Sequence, residues 1–178
     1  MFQFILVVLA IALSAAQLLV GLNYTPAWIK TASDTNLMAR TSMQTLEQAF
    51  DIATSANSGT SPTVTTAADG GLATNFLPII KFTPAAPQGY QWVYGQHPND
   101  GTYYANMYYF CMQPATGNSQ GATQGIYRGV QNAMSIFPTN QVFANTTCGA
   151  TASYGTPASF PIQMALTMYV TYVPPVSP

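Results

Sequence analysis

Residues 2–22, FQFILVVLAIALSAAQLLVGL, and residues 33–53, SDTNLMARTSMQTLEQAFDIA, decide how this chain is read. The first stretch carries no charge, and about 20 helical residues rising ~1.5 Å each cross the ~30 Å hydrocarbon layer of a bilayer. In the second, Ala39, Met43, Leu46, Phe50 and Ala53 recur at spacings of four, three, four and three, which puts them on one side of a helix. The expectation is a stem that is apolar all round over residues 1–22 and one-sided over residues 23–56. Residues 57–178 would be the globular domain that the one-sided half packs against. Pro26 either starts a second helix, where a missing N–H does no harm, or kinks a continuous one. Tyr24 and Trp28 flank the apolar run, as aromatic residues do at a membrane–water boundary.

A chain of 178 residues, less a membrane segment of about 20, is long enough for one domain with a real core. Charged residues make up 5% of it, against ~25% in ordinary soluble proteins. The four basic side chains, Lys30, Arg40, Lys81 and Arg128, are scattered. Nucleic acid is excluded as a partner, because neutralising phosphates needs clustered Lys and Arg. Cys111 and Cys148 are the only two cysteines. In a chain outside the cytosol they are expected to form one disulfide, closing a loop of about 38 residues and adding ~3–4 kcal/mol by loop entropy. Two cysteines and one histidine fall short of a four-ligand zinc site, so no metal and no cofactor is expected.

A cleaved signal peptide competes with the anchor. Ser14-Ala15-Ala16 before Gln17 has the small residues of a cleavage site, and the alternative product is a secreted, soluble surface or binding domain or filament subunit. Against it, no basic residue precedes the run, and Leu18, Leu19, Val20 and Leu22 prolong it. Retention in a membrane, as a single pass, is the preferred reading. Lys30 and Arg40 after the span favour a cytoplasmic domain by the positive-inside rule; the disulfide favours a periplasmic one and outweighs two charges.

Further along, residues 56–71 are rich in Ser, Thr and Gly and read as a surface loop. Residues 75–89 hold Pro78, Pro84 and Pro87 and are expected to be irregular while burying Phe76, Leu77, Ile79 and Phe82. YQWVY (90–94) and TYYANMYYFCM (102–112), joined by GQHPNDG, read as a hairpin at the centre of an antiparallel sheet. Ile126, Val130, Ala133 or Met134, and Phe137 mark a short amphipathic helix ending at Pro138. Residues 160–173 alternate strictly, with Ile162, Met164, Leu166, Met168, Val170 and Tyr172 on one side, and read as a long strand.

The fold class is therefore α+β, a long N-terminal helix packed on an antiparallel sheet, and that layout resembles the type IV pilins. Typical pilins carry a basic leader and a Glu at the fifth mature position; here Ile5 stands in fifth place and no basic leader precedes it. The chain is more similar to the PilM-type accessory proteins of conjugative thin (type IVb) pili, which have an unprocessed hydrophobic helix, a pilin-like body and an aromatic strand like GYQWVYG (89–95) after a Pro-rich segment. The resemblance implies a minor or accessory role without catalysis. Its implied partners are other pilus-assembly or pilin proteins, with the membrane held through the N-terminal helix and self-association open to the same helix, where Ala10, Ala15 and Gly21 allow close approach.

No nucleophile–base pairing, phosphate loop or GxSxG elbow stands in the sequence. His97 sits in a turn with Pro98, Asn99 and Asp100 and has no catalytic partner at a recognised spacing. Seven Tyr and Trp residues crowd the hairpin. One face of it must be buried; on the other, Tyr103, Tyr104 and Tyr108, with His97 at the tip, form the expected interaction surface.

Overall fold

The computed structural model describes residues 26–97, 107–118 and 121–171. The expected membrane segment, residues 1–22, lies outside the described residues, as do Tyr103, Tyr104 and the connection 98–106. Among the described residues, no helix is long and apolar enough to cross a membrane.

Pro26 caps the first helix, α1 (Ala27–Ala56, 30 residues). It offers no N–H to leave unpaired, and its carbonyl accepts from Ile29 N–H at 2.9 Å. The expected face is the buried one: Ala39, Met43, Leu46 and Phe50 are all within the core, with Ala53 against it. The helix ends where Ser58 and Gly59 adopt left-handed backbone and Gly59 N–H returns to Thr54 C=O at 2.9 Å.

Residues 81–89 are irregular as expected, but the stretch from 72 to 80 is not. It forms two helical turns, α2 (Leu72–Asn75) and α3 (Leu77–Ile80), the second accepting Pro78 in its first turn, where proline is tolerated. Phe76 between them is fully buried, but Phe82 is 53% exposed and is no part of the core. The Ser/Thr/Gly loop before them is pinned: the Asp69 carboxylate accepts from Gly71 and Ala73 N–H at 3.0 and 2.8 Å, and Pro62 C=O accepts from the Tyr94 hydroxyl at 2.9 Å.

Four strands follow, β1 (Tyr90–His97), β2 (Met107–Pro114), β3 (Val142–Asn145) and β4 (Ala165–Tyr169). They pair antiparallel in the order β1-β2-β4-β3. The hairpin is thus not central: β2 and β4 are interior and β1 is an edge. β1 also runs three residues further than expected, taking in Gly95, Gln96 and His97. The C-terminal strand is shorter than its alternation suggests. Only 165–169 join the ladder; Phe160 is 37% exposed, and Ile162 makes one isolated bridge to Ala122. Both faces of β4 are buried. Leu166 and Met168 face α1, while Ala165, Thr167 and Tyr169 face a second layer.

That second layer is the segment carrying Cys148. It is tied to β2 by the Cys111–Cys148 disulfide, with Cα atoms 5.7 Å apart and a sequence separation of 37. Gly149 N–H donates to Thr167 Oγ1 at 3.1 Å, and its carbonyl accepts from the Tyr169 hydroxyl at 2.6 Å. The loops also cover the sheet's edges. Tyr94 N–H on β1 donates to Asp69 C=O at 2.9 Å, and Ala144 C=O on β3 accepts from Tyr154 N–H at 2.6 Å.

The remaining helix, α4 (Gln124–Met134), is capped by Thr123, whose hydroxyl oxygen accepts from Ile126 N–H. It buries Ile126, Val130 and Ala133, as its periodicity requires, and also Gly125 and Gly129. A Cβ at Gly129 would lie 2.5 Å from Thr35 Cβ and 2.6 Å from Ala32 C=O; one at Gly125 would lie 2.7 Å from Thr31 Cβ. Both contacts advance in the same direction, so α4 runs parallel to α1, and bare glycine backbone sets how closely the two helices approach.

Candidate functional site

The sequence-derived candidates do not come together as one surface. Cys111 and Cys148 form the disulfide and are spent on structure. His97 ends β1, opposite Met107. Tyr108 does not point away from the core. Its ring stacks on Tyr94 at 6.0 Å and lies 6.2 Å from Phe50 of α1, because the β pleat puts Tyr94, Tyr108 and Phe110 on the helix side. With Phe76, which meets Tyr94 and Phe110 at 4.9 Å each, these rings are the centre of the core. Of the expected platform, Tyr103 and Tyr104 lie outside the described residues.

The carboxylates are dispersed. Asp69 is engaged by its loop, and Glu47 Oε1 accepts from Gln141 Nε2 at 3.0 Å. Among the described residues, no three His, Cys, Asp or Glu side chains gather where a metal ion would sit.

The geometry instead brings together residues that the sequence kept apart. Between the first half of α1 and the loops before β1 and α4 lies a groove of about 550 Å³, lined among others by Thr31, Asp34, Gln88, Tyr90, Asn118 and Thr123. Its floor is held rigidly. Asn118 Nδ2 and Ala115 N–H both donate to Gly89 C=O, at 2.6 and 2.8 Å, and Tyr90 N–H donates to Pro87 C=O at 3.0 Å. Behind it, Ser42 of α1 and Trp92 Nε1 of β1 each donate to Ala85 C=O at 2.8 Å, fixing the Pro-rich segment between helix and sheet.

Tyr90 is the unusual member. It is 8% exposed, and its buried hydroxyl has no hydrogen-bond partner among the described residues. Burial pushes its phenol up to about 12, so the group is a neutral donor and acceptor at any ordinary pH. Tyr94, on the same strand face, is raised still further by burial and by Tyr108, but its hydroxyl is satisfied by Pro62. In the sequence Tyr90 was one of seven Tyr and Trp residues in the hairpin. Thr31, Asp34, Asn118 and Thr123 come from separate segments with no spacing to link them.

No protein family, curated protein or solved structure matches this chain.

Proposed function

We propose that the chain is a non-enzymatic, pilin-like component of a type IV pilus or conjugative transfer apparatus, anchored in the bacterial inner membrane by residues 1–22 with its domain on the periplasmic side. One observation carries the reading. A 30-residue helix that lays one face on a four-stranded antiparallel sheet follows directly on an uncharged apolar run. Such a unit presents a rigid domain on a stem suited to a bilayer or to a bundle of similar helices. The disulfide supports an oxidising compartment. The PilM-type resemblance favours an accessory or minor position over bulk polymerisation. The partners are other pilus-assembly or pilin proteins. Deleting the gene should abolish pilus assembly or pilus-dependent transfer while pilin synthesis continues. Normal piliation and transfer in the deletion strain would overturn the reading.

A further inference from the structure

We propose that a second groove, between the opening turns of α1 and α4, seats the headgroup of an anionic phospholipid and so docks the domain on the bilayer surface. The inference rests on the reading of residues 1–22 as a membrane anchor, and adds which face of the domain meets the bilayer and which residues hold it there. The groove measures about 620 Å³, and its lining includes Trp28, Ile29 and Ser33 of α1 and Gln124, Arg128 and Asn132 of α4. Gly125 faces Thr31 and the Trp28 carbonyl, and Gly129 faces Ala32 and Thr35, so α4 starts level with the start of α1. Gln124 and Arg128, far from the apolar run in sequence, are thereby brought to the end of the domain that the run leads into. From Leu22 to Trp28 the chain spans at most ~22 Å even when fully extended, which keeps this end close to the hydrocarbon boundary.

The chemistry of the two walls points to lipid. Trp28 and Ile29 are each 41% exposed, and Lys30 follows them in the first turn of α1, where the helix dipole disfavours a positive charge. Facing water, all three are unfavourably placed; at headgroup level, indole rings and cationic side chains find their preferred surroundings. The facing wall is cationic. Arg128 is exposed and presents the fork of donors that phosphate oxygens accept, while the exposed Ser33, Gln124 and Asn132 offer hydrogen bonds to the remaining headgroup oxygens. No Asp or Glu lines this groove; Asp34 lines the one on the other side of α1. Glu47 and Asp51 stand ~25 Å or more beyond Lys30 along the helix, well past the ~8 Å over which salt screens a charge. An apolar wall beside an uncompensated guanidinium matches the junction of acyl chain and phosphate. A soluble anion would leave Trp28 and Ile29 uncovered.

The test places isotope-labelled full-length protein in nanodiscs of phosphatidylcholine, alone or mixed with phosphatidylglycerol, each with a trace of lipid carrying a gadolinium chelate on its headgroup. Amide relaxation then reports proximity to the bilayer surface. With phosphatidylglycerol present, the amides of Gln124, Arg128 and Asn132 should relax faster than in phosphatidylcholine alone, while that of Gly59, beyond the far end of α1, changes little. Arg128→Gln should lower the docked-to-undocked ratio about five-fold, equivalent to the ~1 kcal/mol that one cation contributes near an anionic surface. Arg128→Lys should restore most of it, and both variants should melt as the parent does, because Arg128 is exposed. Discs that take up the protein but show no enhancement at α4 above that at Gly59, equal enhancement with and without phosphatidylglycerol, or full docking in Arg128→Gln would each overturn the docking and leave the anchor standing. A chain that does not enter the discs would overturn the anchor as well.

Discussion

Replacing Gly129 by alanine tests the packing of the two parallel helices, because the ordinary expectation has the opposite sign. In a helix interior, Gly→Ala normally stabilises by about 1 kcal/mol, by restricting the unfolded chain and exposing less backbone. At Gly129 the added Cβ would lie 2.6 Å from Ala32 C=O and 2.5 Å from Cβ of buried Thr35. Neither is the tip of a flexible side chain. Relief requires α4 to move off α1, and overpacking of this kind costs about 1–3 kcal/mol. The net expectation is a loss of up to about 2 kcal/mol, which lowers the melting temperature by up to ~8 °C in a domain of this size. Gly125→Ala should lose less, because its closest neighbour is the partly exposed Thr31 at 2.7 Å and the nearest backbone atom, Trp28 C=O, is 2.9 Å away. Asn132→Ala, at an exposed site on the same helix, should gain a few tenths of a kcal/mol. Thermal unfolding of the full-length variants, followed by circular dichroism, reads all three. A Gly129→Ala variant about 1 kcal/mol more stable than the parent would refute the close crossing of α1 and α4.

Three further perturbations have defined outcomes. Phe50→Ala removes a 3%-exposed ring that meets Phe76, Tyr94, Tyr108 and Phe110 at 6.2–6.4 Å, and should cost about 3–5 kcal/mol in chemical unfolding; an unchanged midpoint would rule out a packed stem. Tyr94→Phe, losing the bond to Pro62, should cost about 1 kcal/mol and Tyr90→Phe nothing; equal losses would show that Tyr90 has a partner in the fold. The folded chain holds the phenolic protons of Tyr90, Tyr94 and Tyr109 to higher pH than the unfolded chain does. Stability is therefore whole below about pH 10 and falls as pH rises towards 12 and beyond, by up to ~1.4 kcal/mol per pH unit for each such tyrosine. An unfolding free energy that does not fall between pH 10 and 12 would contradict this.

The parts of the fold legible in the sequence were those set by local periodicity. Ala39, Met43, Leu46 and Phe50 announced the buried face of α1, and Ile126 and Val130 that of α4, because a helix in contact with one core shows it every three or four residues. Strand extent was less legible. Residues 160–173 alternate throughout, yet pairing needs a partner strand, and β3 offers only Val142–Asn145. The alternation also concealed that Thr167 and Tyr169 are buried, under a layer brought in by the disulfide. The helix crossing was written in Gly125 and Gly129, four apart in GIYRG, where the eye goes to the apolar neighbours. Tyr108 looked outward only while its register was unknown; pairing with Gln96 turns it to the core. The groove was not legible at all, since hydroxyls and amides from four segments have no pattern until the chain has folded.

We propose a single chain that keeps its apolar stem in a membrane and holds its domain in an oxidising space. Intact mass spectrometry of alkylated, unreduced protein, taken separately from membrane and soluble fractions of the native cell, tests both halves at once. The protein should be in the membrane fraction, with residues 1–22 retained and neither Cys111 nor Cys148 alkylated. A soluble species beginning at Gln17, or a chain carrying two alkylated thiols, would contradict it.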